Sequence, residues 1–357
     1  MLSARNPDEL STPPTHSHFG RVTPVGTIPP RYNFAVKPQP TTHMQCMEVW
    51  GGSQLTAQGV EFGGLDAWVF SKPYGDAQHG GDVYYASSCG TGRITRLLLA
   101  DVSGHGHAVA AMAADLRTLM RRFVNRLDQG EFVTLLNRQF SEVSGSGKFA
   151  TAIVTTFFSP TRRLIVSNAG HPRPLLYRSA ERKWSLLTQT RTPGTKPRNT
   201  PLGMLAMAEY EQFDLELEPG DYLLCYTDAL MESNDADGQM LGEGGLLKIA
   251  RLLGEPDSAA PDGPQRFTER LLDEIGSRFA ENLTDDDVTV LIVRANGRGP
   301  SYSYGEQLHA ARRFAVSLIR SLIPGNERPP FPDWKLANIG GAIIPALGRT
   351  WRAKRVP

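Results

Sequence analysis

From Val49 onward, short runs of apolar or alternating residues recur along the chain and predict a protein rich in β-strands. Glycine and proline separate most of these runs, which is typical of strands joined by turns. The segments that fit a strand best are 66–71, 82–88, 93–100, 149–158, 163–168, 174–178, 184–188, 211–217, 221–227 and 287–294. The middle of the chain is therefore predicted to form sheets.

Two pairs of predicted helices interrupt this succession of strands. Along 107–127, apolar residues recur at spacings of three and four, so the predicted helix has one apolar face. A second helix is predicted at about 131–143, and a further pair at about 243–253 and 264–280. This order of elements predicts an α+β fold. We expect a four-layer α-β-β-α sandwich in which two mainly antiparallel sheets are flanked by helices.

The two ends of the chain differ in composition from this middle part. Residues 1–45 are rich in Pro, Thr, Ser and His without any period, which predicts a flexible N-terminal arm. One folded domain is predicted over 46–296. Residues 297–357 are predicted to form a helical and basic appendage, in which 306–323 has the pattern of an amphipathic helix. We expect this appendage to pack on the domain, and a contact of its basic residues with a membrane surface or a partner is the alternative. Its helix is a candidate surface for a homodimer or a partner.

Composition and charge narrow the classes of function. The net charge is +1, so nothing favours nucleic acid as the main partner. The three cysteines, Cys46, Cys89 and Cys225, fit neither a zinc motif nor a disulfide framework, which indicates a reducing compartment. The first 20 residues lack the apolar core of a secretory signal, and no apolar run approaches the length of a membrane span. We therefore predict a cytoplasmic protein without membrane contact.

Four aspartates share one placement, at the point where a predicted strand meets a loop. Asp82 begins a strand after two glycines, and Asp101 ends the apolar run LLLA. Asp228 ends the run YLLCYT, and Asp286 stands just before VTVLIV. Each alone is an ordinary turn residue, but four converging carboxylates would repel one another unless cations neutralised them. Ligands that are all oxygens favour Mg²⁺ or Mn²⁺, so the fold decides between a metal site and four turn residues.

The segment DVSGHGHAVAAMAADL, which begins at Asp101, is the most specific stretch of the chain. Gly104 and Gly106 let the backbone turn sharply and approach a ligand closely. The helix that follows presents unpaired N–H groups and a positive dipole end, which suit an anion. The order of strand, aspartate, glycine turn and helix is typical of a corner that handles phosphate. A plain strand-to-helix turn is the alternative.

Several motifs together carry a resemblance to a known family. They occur in the order GGDVYY (80–85), ADVSGHGHAVAAM (100–112), NAGHPRPLL (168–176), TPLGM (200–204), YTDALME (226–232) and DDDVTVLIV (285–293). In this order they resemble the SpoIIE-type branch of the PPM (protein phosphatase 2C-like) phosphatases. The resemblance spans about 50–295 and implies a metal-dependent protein serine/threonine phosphatase.

The resemblance also implies a site with two divalent cations, Mn²⁺ or Mg²⁺. Asp101 would bridge the two ions, and the backbone carbonyl of Val102 would be a further ligand. Asp228 and Asp286 would hold the first ion, and Asp82 would complete the set of the second. The neighbouring Asp287 falls where relatives carry Asn or Asp, and we do not count it as a ligand.

Candidates for acid catalysis and substrate binding lie in the same motifs. His105, in the glycine turn, is the candidate catalytic histidine, and an ordinary loop or helix-cap histidine is the alternative. His171 and Gly170 in NAGHP are expected near the substrate, together with the glycines of the turn, Gly104 and Gly106. A metal-bound water is the other source of the proton.

Two residues depart from the pattern of the branch. Tyr85 replaces the acid that usually closes the motif GGDWYD, which puts a further, weaker metal position in doubt. Ala229 replaces the glycine that usually follows the aspartate of YTD. These departures give some support to a non-catalytic binding or scaffold protein, and a phosphohydrolase of small molecules is the third hypothesis. For the phosphatase, the resemblance implies a phosphorylated protein substrate of the anti-sigma-factor antagonist type.

Overall fold

The computed structural model describes residues 38–43, 49–88, 92–104, 107–123, 126, 128–145, 147–188 and 197–299. These residues form two β-sheets and two pairs of long helices. Among the described residues, every strand pairing inside the sheets is antiparallel except one, between the first and third strands. The predicted α+β class and the two mainly antiparallel sheets are therefore confirmed.

The first sheet has seven strands in the order β1-β3-β4-β13-β12-β9-β10. Its strands come from both ends of the described chain, which ties the C-terminal strand β13 to the early strand β4 along eight paired residues. The bounds are β1 (Gln39–His43), β3 (Thr56–Phe62), β4 (Leu65–Lys72), β9 (Leu175–Arg178), β10 (Lys183–Leu186), β12 (Tyr222–Tyr226) and β13 (Val288–Ala295).

The second sheet has six strands in the order β11-β8-β7-β6-β5-β2. Its centre is a meander of consecutive strands, β5 to β8, and the two longest of them flank the first pair of helices in the sequence. The bounds are β2 (Val49–Gly52), β5 (Asp82–Ser88), β6 (Ile94–Val102), β7 (Ala150–Phe158), β8 (Arg163–Ala169) and β11 (Phe213–Glu216). A 3₁₀ turn, Ser159–Thr161, joins β7 to β8.

Each sheet carries one pair of long helices on its outer face. The helices α1 (His107–Phe123) and α2 (Gln129–Ser144) pack on the second sheet, and α4 (Gly242–Leu253) and α5 (Gly263–Arg278) pack on the first. A single turn, α3 (Ala229–Glu232), follows β12. The start of α2 is fixed by Asp128, whose Oδ1 accepts a hydrogen bond of 2.7 Å from the backbone N–H of Glu131.

Three apolar layers hold the four layers of the sandwich together. Strand β4 contributes to two of these apolar layers. Ala67 and Val69 face the other sheet, whereas Trp68 and Phe70 face α4 and α5. The third layer lies between the second sheet and the helices α1 and α2. Because each sheet is covered on both faces, its central strands are apolar almost throughout rather than alternating.

All ten predicted strands are present, with ends that differ by at most two residues. The strands that the sequence pattern did not predict are β1, β2 and β3, and α3 was also missed. Glycines weaken the strand pattern of β2, although Gly51 is required there because a Cβ would overlap the carbonyl oxygen of Tyr84. The end of the predicted arm, Gln39–His43, is an edge strand, while 1–37 and the amphipathic segment 306–323 lie outside the described residues.

None of the helices in the described ranges is both long enough and apolar enough to cross a membrane.

Candidate functional site

Two of the four aspartates face each other across neighbouring strands of the second sheet. Asp82 is the first residue of β5, and Asp101 is the residue before the last of β6. The antiparallel register pairs these two residues directly. Both belong to the strand faces that point toward the first sheet, because Tyr84 and Leu99, two residues away on each strand, lie in the layer between the sheets.

The other two aspartates lie at the matching end of the first sheet. Asp228 lies two residues after the end of β12, and Asp286 lies two residues before the start of β13. These strands are antiparallel, with Tyr226 paired to Val290, so the end of one strand and the start of the other lie at the same edge. The stacking of the sheets brings this edge beside Asp82 and Asp101.

A buried hydroxyl joins the two sheets at this edge. The Oγ1 of Thr227 donates a hydrogen bond of 2.9 Å to Oδ2 of Asp82, and it also accepts the backbone N–H of Thr289 at 2.9 Å. The Oγ1 of Thr289 is in turn 2.9 Å from the Oγ of Ser71 on β4. Asp82, only 2% exposed, is therefore held in one orientation by a network that spans both sheets.

The carboxylate of Asp287 shapes the loop that leads into β5. It accepts hydrogen bonds from the backbone N–H groups of Tyr74 at 2.6 Å, Gly81 at 2.5 Å and Asp82 at 3.4 Å. Gly80 also packs against this carboxylate, since a Cβ there would stand 2.5 Å from its Oδ2. Asp287 therefore positions the backbone of Asp82, and its omission from the predicted ligands stays a prediction.

A close backbone contact places the carbonyl of Val102 next to the same loop. A Cβ on Gly81 would lie 2.9 Å from this carbonyl oxygen and 2.7 Å from Cγ1 of Val109 in the first turn of α1. Only glycine allows the loop, the end of β6 and the start of α1 to approach so closely. The predicted ligand carbonyl therefore lies at the acidic end of the sandwich.

Burial and mutual repulsion raise the pKa of the clustered carboxyl groups. Burial, then repulsion from Asp101 and Asp287, raises the pKa of Asp82 well above its ordinary value. Burial, followed by repulsion from Asp228 and Asp286, raises the pKa of Asp101 to about 8. Burial and the neighbouring Glu232 raise the pKa of Asp228 to about 6. In the absence of a cation, the site therefore disfavours ionisation of all its carboxyl groups at once.

The donor set fits a hard divalent cation, because its side chains offer carboxylate oxygens and a backbone carbonyl lies beside them. A positive charge would offset the repulsion that raises the pKa values. Within the described ranges, however, no three His, Cys, Asp or Glu side chains already enclose a common point as metal ligands would. Asp286 is exposed, and Asp101 and Asp228 are half-buried.

The imidazole of His171 is buried beside this cluster. Its Nδ1 lies 2.9 Å from Oγ1 of Thr151, the residue that pairs with Asp101 across β6 and β7. Its backbone N–H donates to Oδ1 of Asn168, and Asn168 donates back to its carbonyl, both at 2.8 Å. Burial lowers the pKa of His171 to about 3, so the ring is neutral near pH 7 and cannot supply a proton as a general acid. A direct contact with substrate stays a prediction.

The predicted glycines have different surroundings. Gly170 has a φ of 68°, and a Cβ there would stand 2.6 Å from Cγ of Pro201, so it serves a tight turn. Gly104, with a φ of 102°, is exposed two residues after Val102. Glycine alone suits both backbones. His105 and Gly106 lie outside the described residues, so the proposed catalytic histidine stays a prediction.

The two departures from the family pattern leave the acidic cluster intact. Tyr85 points toward α1 and α2, with its side chain in the helix-facing layer. It lies on the opposite face of β5 from Asp82, so an acid at this position would not join the same group of carboxylates. Ala229 begins α3 and packs in the core of the first sheet.

Sequence reasoning missed three contributors to the site. Thr227 orients Asp82, Asp287 fixes the loop, and Glu232 adds negative charge near Asp101 and Asp228. Glu232 stands four residues after Asp228, a spacing that places two side chains on one face of a helix. That spacing was a usable signal, whereas the bonds of Thr227 and Asp287 depend on contacts between distant segments.

The raised pKa values predict an unusual dependence of stability on pH. Between pH 3.8 and about 8 the folded protein keeps a proton on Asp101 that the unfolded chain loses, so stability falls as pH rises through 8. In the presence of EDTA, the melting temperature should therefore fall by several degrees from pH 6.5 to 8.5. The lowered pKa of His171 makes stability rise with pH only between about 3 and 6.5, which is below the pH range of this experiment. A melting temperature that stays constant over this range would contradict the raised pKa of Asp101.

Saturating Mn²⁺ is the control for this pH series. A metal ion binds carboxylates in their deprotonated form. We expect the melting temperature with Mn²⁺ to stay level or rise from pH 6.5 to 8.5. The difference between the two curves should therefore grow with pH.

Comparison with solved structures defines the class of fold. The chain is similar to the RsbU and RsbW domains of Rv1364c from Mycobacterium tuberculosis, with a TM-score of 0.54, 23% identity, and coverage of 75% of this chain and 72% of that one. It is also similar to the SiaA-PP2C domain of Pseudomonas aeruginosa, with a TM-score of 0.51, 18% identity, and coverage of 64% and 84%. The PP2C phosphatase domain with a regulatory fragment of SpoIIE from Bacillus subtilis matches with a TM-score of 0.51, 14% identity, and coverage of 70% and 64%. The fold is that of the PP2C-like phosphatases.

The family follows from the sequence of the folded part. Residues 91–296, well over half of the chain, match the family described as Stage II sporulation protein E (SpoIIE). The protein belongs to the SpoIIE family of PP2C-like phosphatases. The resemblance found in the motifs is thereby confirmed.

Proposed function

We propose that this protein is a metal-dependent protein serine/threonine phosphatase. The observation that carries the proposal is that four aspartates, two from each sheet, lie near one another at one end of the sandwich, where Asp101 is repelled by Asp228 and Asp286. A buried carboxylate beside other carboxylates costs free energy in the folded protein. In this SpoIIE-family fold, the repelling carboxylates lie at one site, and their oxygens suit Mg²⁺ or Mn²⁺. This arrangement supports metal-assisted phosphate chemistry.

The proposed roles of the residues follow from their places. Asp101 lies opposite Asp82 and is repelled by the charges of Asp228 and Asp286, so it would help to hold both ions, as the resemblance implies. Asp228 and Asp286 would hold one ion, and Asp82 with the carbonyl of Val102 would serve the other. Bound ions supply an activated water and neutralise the charge of the phosphoryl oxygens.

The remaining residues would keep this arrangement fixed. Thr227 and Asp287 hold the side chain and the backbone of Asp82, which reduces the reorganisation needed when a substrate arrives. His171 is neutral and buried, so the proton for the leaving serine or threonine oxygen would come from His105 or from water. The reaction needs no covalent intermediate on the protein.

The substrate we propose is a phosphorylated regulatory protein, such as an anti-sigma-factor antagonist. The similar structure from Mycobacterium tuberculosis contains an RsbU domain together with an RsbW domain, which fits a phosphatase that works beside a regulatory partner. A cytoplasmic location is consistent with such a substrate. Homodimer formation through 306–323 stays a prediction.

Metal removal tests the proposal. Phosphate release from a phosphoserine protein should require Mn²⁺ or Mg²⁺ and fall to background after EDTA, because the proposed site has no other means of activating water. A malachite-green assay of free phosphate measures this. Full activity after thorough removal of metal would refute the two-metal site.

A substrate panel separates the alternatives. Faster hydrolysis of phosphoproteins than of small phosphate esters is the expected result. The opposite preference would favour a small-molecule phosphohydrolase. No turnover, combined with no Mn²⁺ binding by calorimetry, would favour a scaffold protein that has kept the fold.

A further inference from the structure

A lysine approaches the glycine turn at the rim of the acidic site. The ammonium group of Lys148 lies 3.3 Å from the point where a Cβ on Gly104 would stand. Gly104 follows Asp101 by three residues, and Lys148 precedes Thr151, the partner of Asp101 in the sheet, by three residues. At the usual rise per residue, the backbone of Lys148 lies within about 10 Å, along the strand direction, of the paired residues Thr151 and Asp101. A lysine side chain and a phosphoryl group together can bridge this distance.

The backbone around Lys148 is held on two sides. The N–H of Ser103 donates to the carbonyl of Phe149 at 2.9 Å, and the N–H of Phe149 donates to Oγ of Ser103 at 3.1 Å. On the other side, Gly203 is so close that a Cβ there would lie 3.0 Å from the carbonyl oxygen of Lys148. The base of the side chain is thus fixed, and the half-buried side chain extends from it toward the turn.

The ammonium group of Lys148 makes no ion pair or hydrogen bond with the described residues. Within those ranges, no carboxylate pairs with Lys148 and no hydrogen bond satisfies its ammonium group. A half-buried cation without a partner loses hydration and gains nothing in return. An anionic ligand would supply the missing partner.

The neighbouring helix end also suits an anion. Helix α1 begins at His107, three residues after Gly104, and its first turn contains no acidic residue. Its positive dipole end is therefore not neutralised by its own side chains. This arrangement complements the lysine but does not by itself define a site.

We propose that Lys148 binds an oxygen of the substrate's phosphoryl group and positions it beside the clustered aspartates. The inference rests on the proposed phosphatase function and adds the residue that meets the substrate's charge. A dianion that approaches six clustered acids, Asp82, Asp101, Asp228, Glu232, Asp286 and Asp287, needs positive charge on its outer side as well as at the metals. Lys148 is placed to provide it.

The test compares Lys148→Met with the wild-type full-length protein in the presence of Mn²⁺. Methionine keeps much of the length of the side chain and removes the charge. Calorimetric titration with inorganic phosphate should show an affinity weakened by about tenfold or more, since a charge-assisted hydrogen bond is lost. The KM for a phosphoserine peptide should rise by a similar factor, with a smaller change in kcat. Lys148→Arg should restore phosphate affinity to within about threefold, because it keeps the charge.

A matched control and the metal titration make the result specific. Lys183→Met removes an exposed lysine from β10, in the other sheet, and should leave phosphate affinity unchanged. The affinity for Mn²⁺ should be the same in all variants. Phosphate affinity within twofold of wild type in Lys148→Met would overturn the inference, as would a parallel loss of Mn²⁺ affinity.

Failure of the proposed function can be told apart from failure of this inference. If the wild-type protein releases no phosphate from any phosphoprotein, the phosphatase proposal fails. The phosphate titration still decides whether Lys148 binds the anion. If the wild type is active and the lysine variant binds phosphate normally, only the inference about Lys148 is refuted.

Discussion

Asp101→Asn should abolish phosphatase activity and at the same time stabilise the metal-free protein. The rate should fall by at least about 1000-fold, more than the 10- to 100-fold typical of residues that only support a metal ligand. The stabilisation follows from the raised pKa of Asp101, about 8, which reports the cost of charge at this position. A neutral amide avoids that cost, so the free energy of unfolding at pH 8.5 in EDTA should rise by about 2 kcal/mol. Initial rates with a phosphoserine peptide and calorimetric melting in EDTA measure the two effects.

The opposite signs of the two effects make this prediction demanding. Asp115→Asn is the matched control, since Asp115 is exposed on α1, and it should change neither quantity. A variant of Asp101 that keeps activity would remove the residue from the proposed bridge. A variant that loses both activity and stability would indicate that Asp101 holds the fold together rather than a cation.

Asp287→Ala should impair both stability and activity although Asp287 is not a proposed ligand. Its carboxylate accepts backbone N–H groups of Tyr74, Gly81 and Asp82. Removing it leaves at least two buried donors unpaired, so the free energy of unfolding should fall by about 2–3 kcal/mol. The release of Asp82 from repulsion offsets a part of this loss. Activity should fall by roughly 10- to 100-fold, as for residues behind a metal ligand.

The neighbouring acid provides a close control. Asp285 is exposed and its Oδ1 accepts a hydrogen bond of 3.0 Å from Thr284, so Asp285→Ala should alter stability by less than about 0.5 kcal/mol. Asp287→Asn should be intermediate, because the amide retains one acceptor oxygen. Urea unfolding and Mn²⁺-dependent rates check these three variants. Equal effects of Asp285→Ala and Asp287→Ala would show that the two acids contribute only charge.

Most of the elements were predictable because their patterns are local. The apolar spacing of α1 and the apolar runs of β6, β12 and β13 depend only on burial of one or both faces of each element. The strands β1, β2 and β3 escaped prediction for a physical reason. Polar residues at an edge, and glycines needed for close backbone contact such as Gly51, leave no apolar period in the sequence.

The clustered aspartates could be predicted from the sequence, but the residues that hold them in place could not. Asp82, Asp101, Asp228 and Asp286 could be chosen from their places at strand ends and from the family motifs. The roles of Thr227 and Asp287 could not be predicted, because Thr227 reaches the other sheet and Asp287 reaches a loop more than 200 residues earlier. The burial of His171 could not be predicted either. It lowers the pKa of His171, so the ring is not a proton donor at neutral pH.

By itself, the sequence determined the class of fold and the membership of a phosphatase family, and it proposed which residues would bind a divalent metal. These inferences depend on the local spacing of apolar residues and on short motifs, which can be read from the sequence without knowing where each segment lies in the fold. Only the tertiary structure decided that Asp82 faces Asp101, that both sheets contribute acids to one end, and that Lys148 lies against Gly104. Register and sheet stacking arise from contacts between distant segments, and it is these contacts that concentrate the charge of the site.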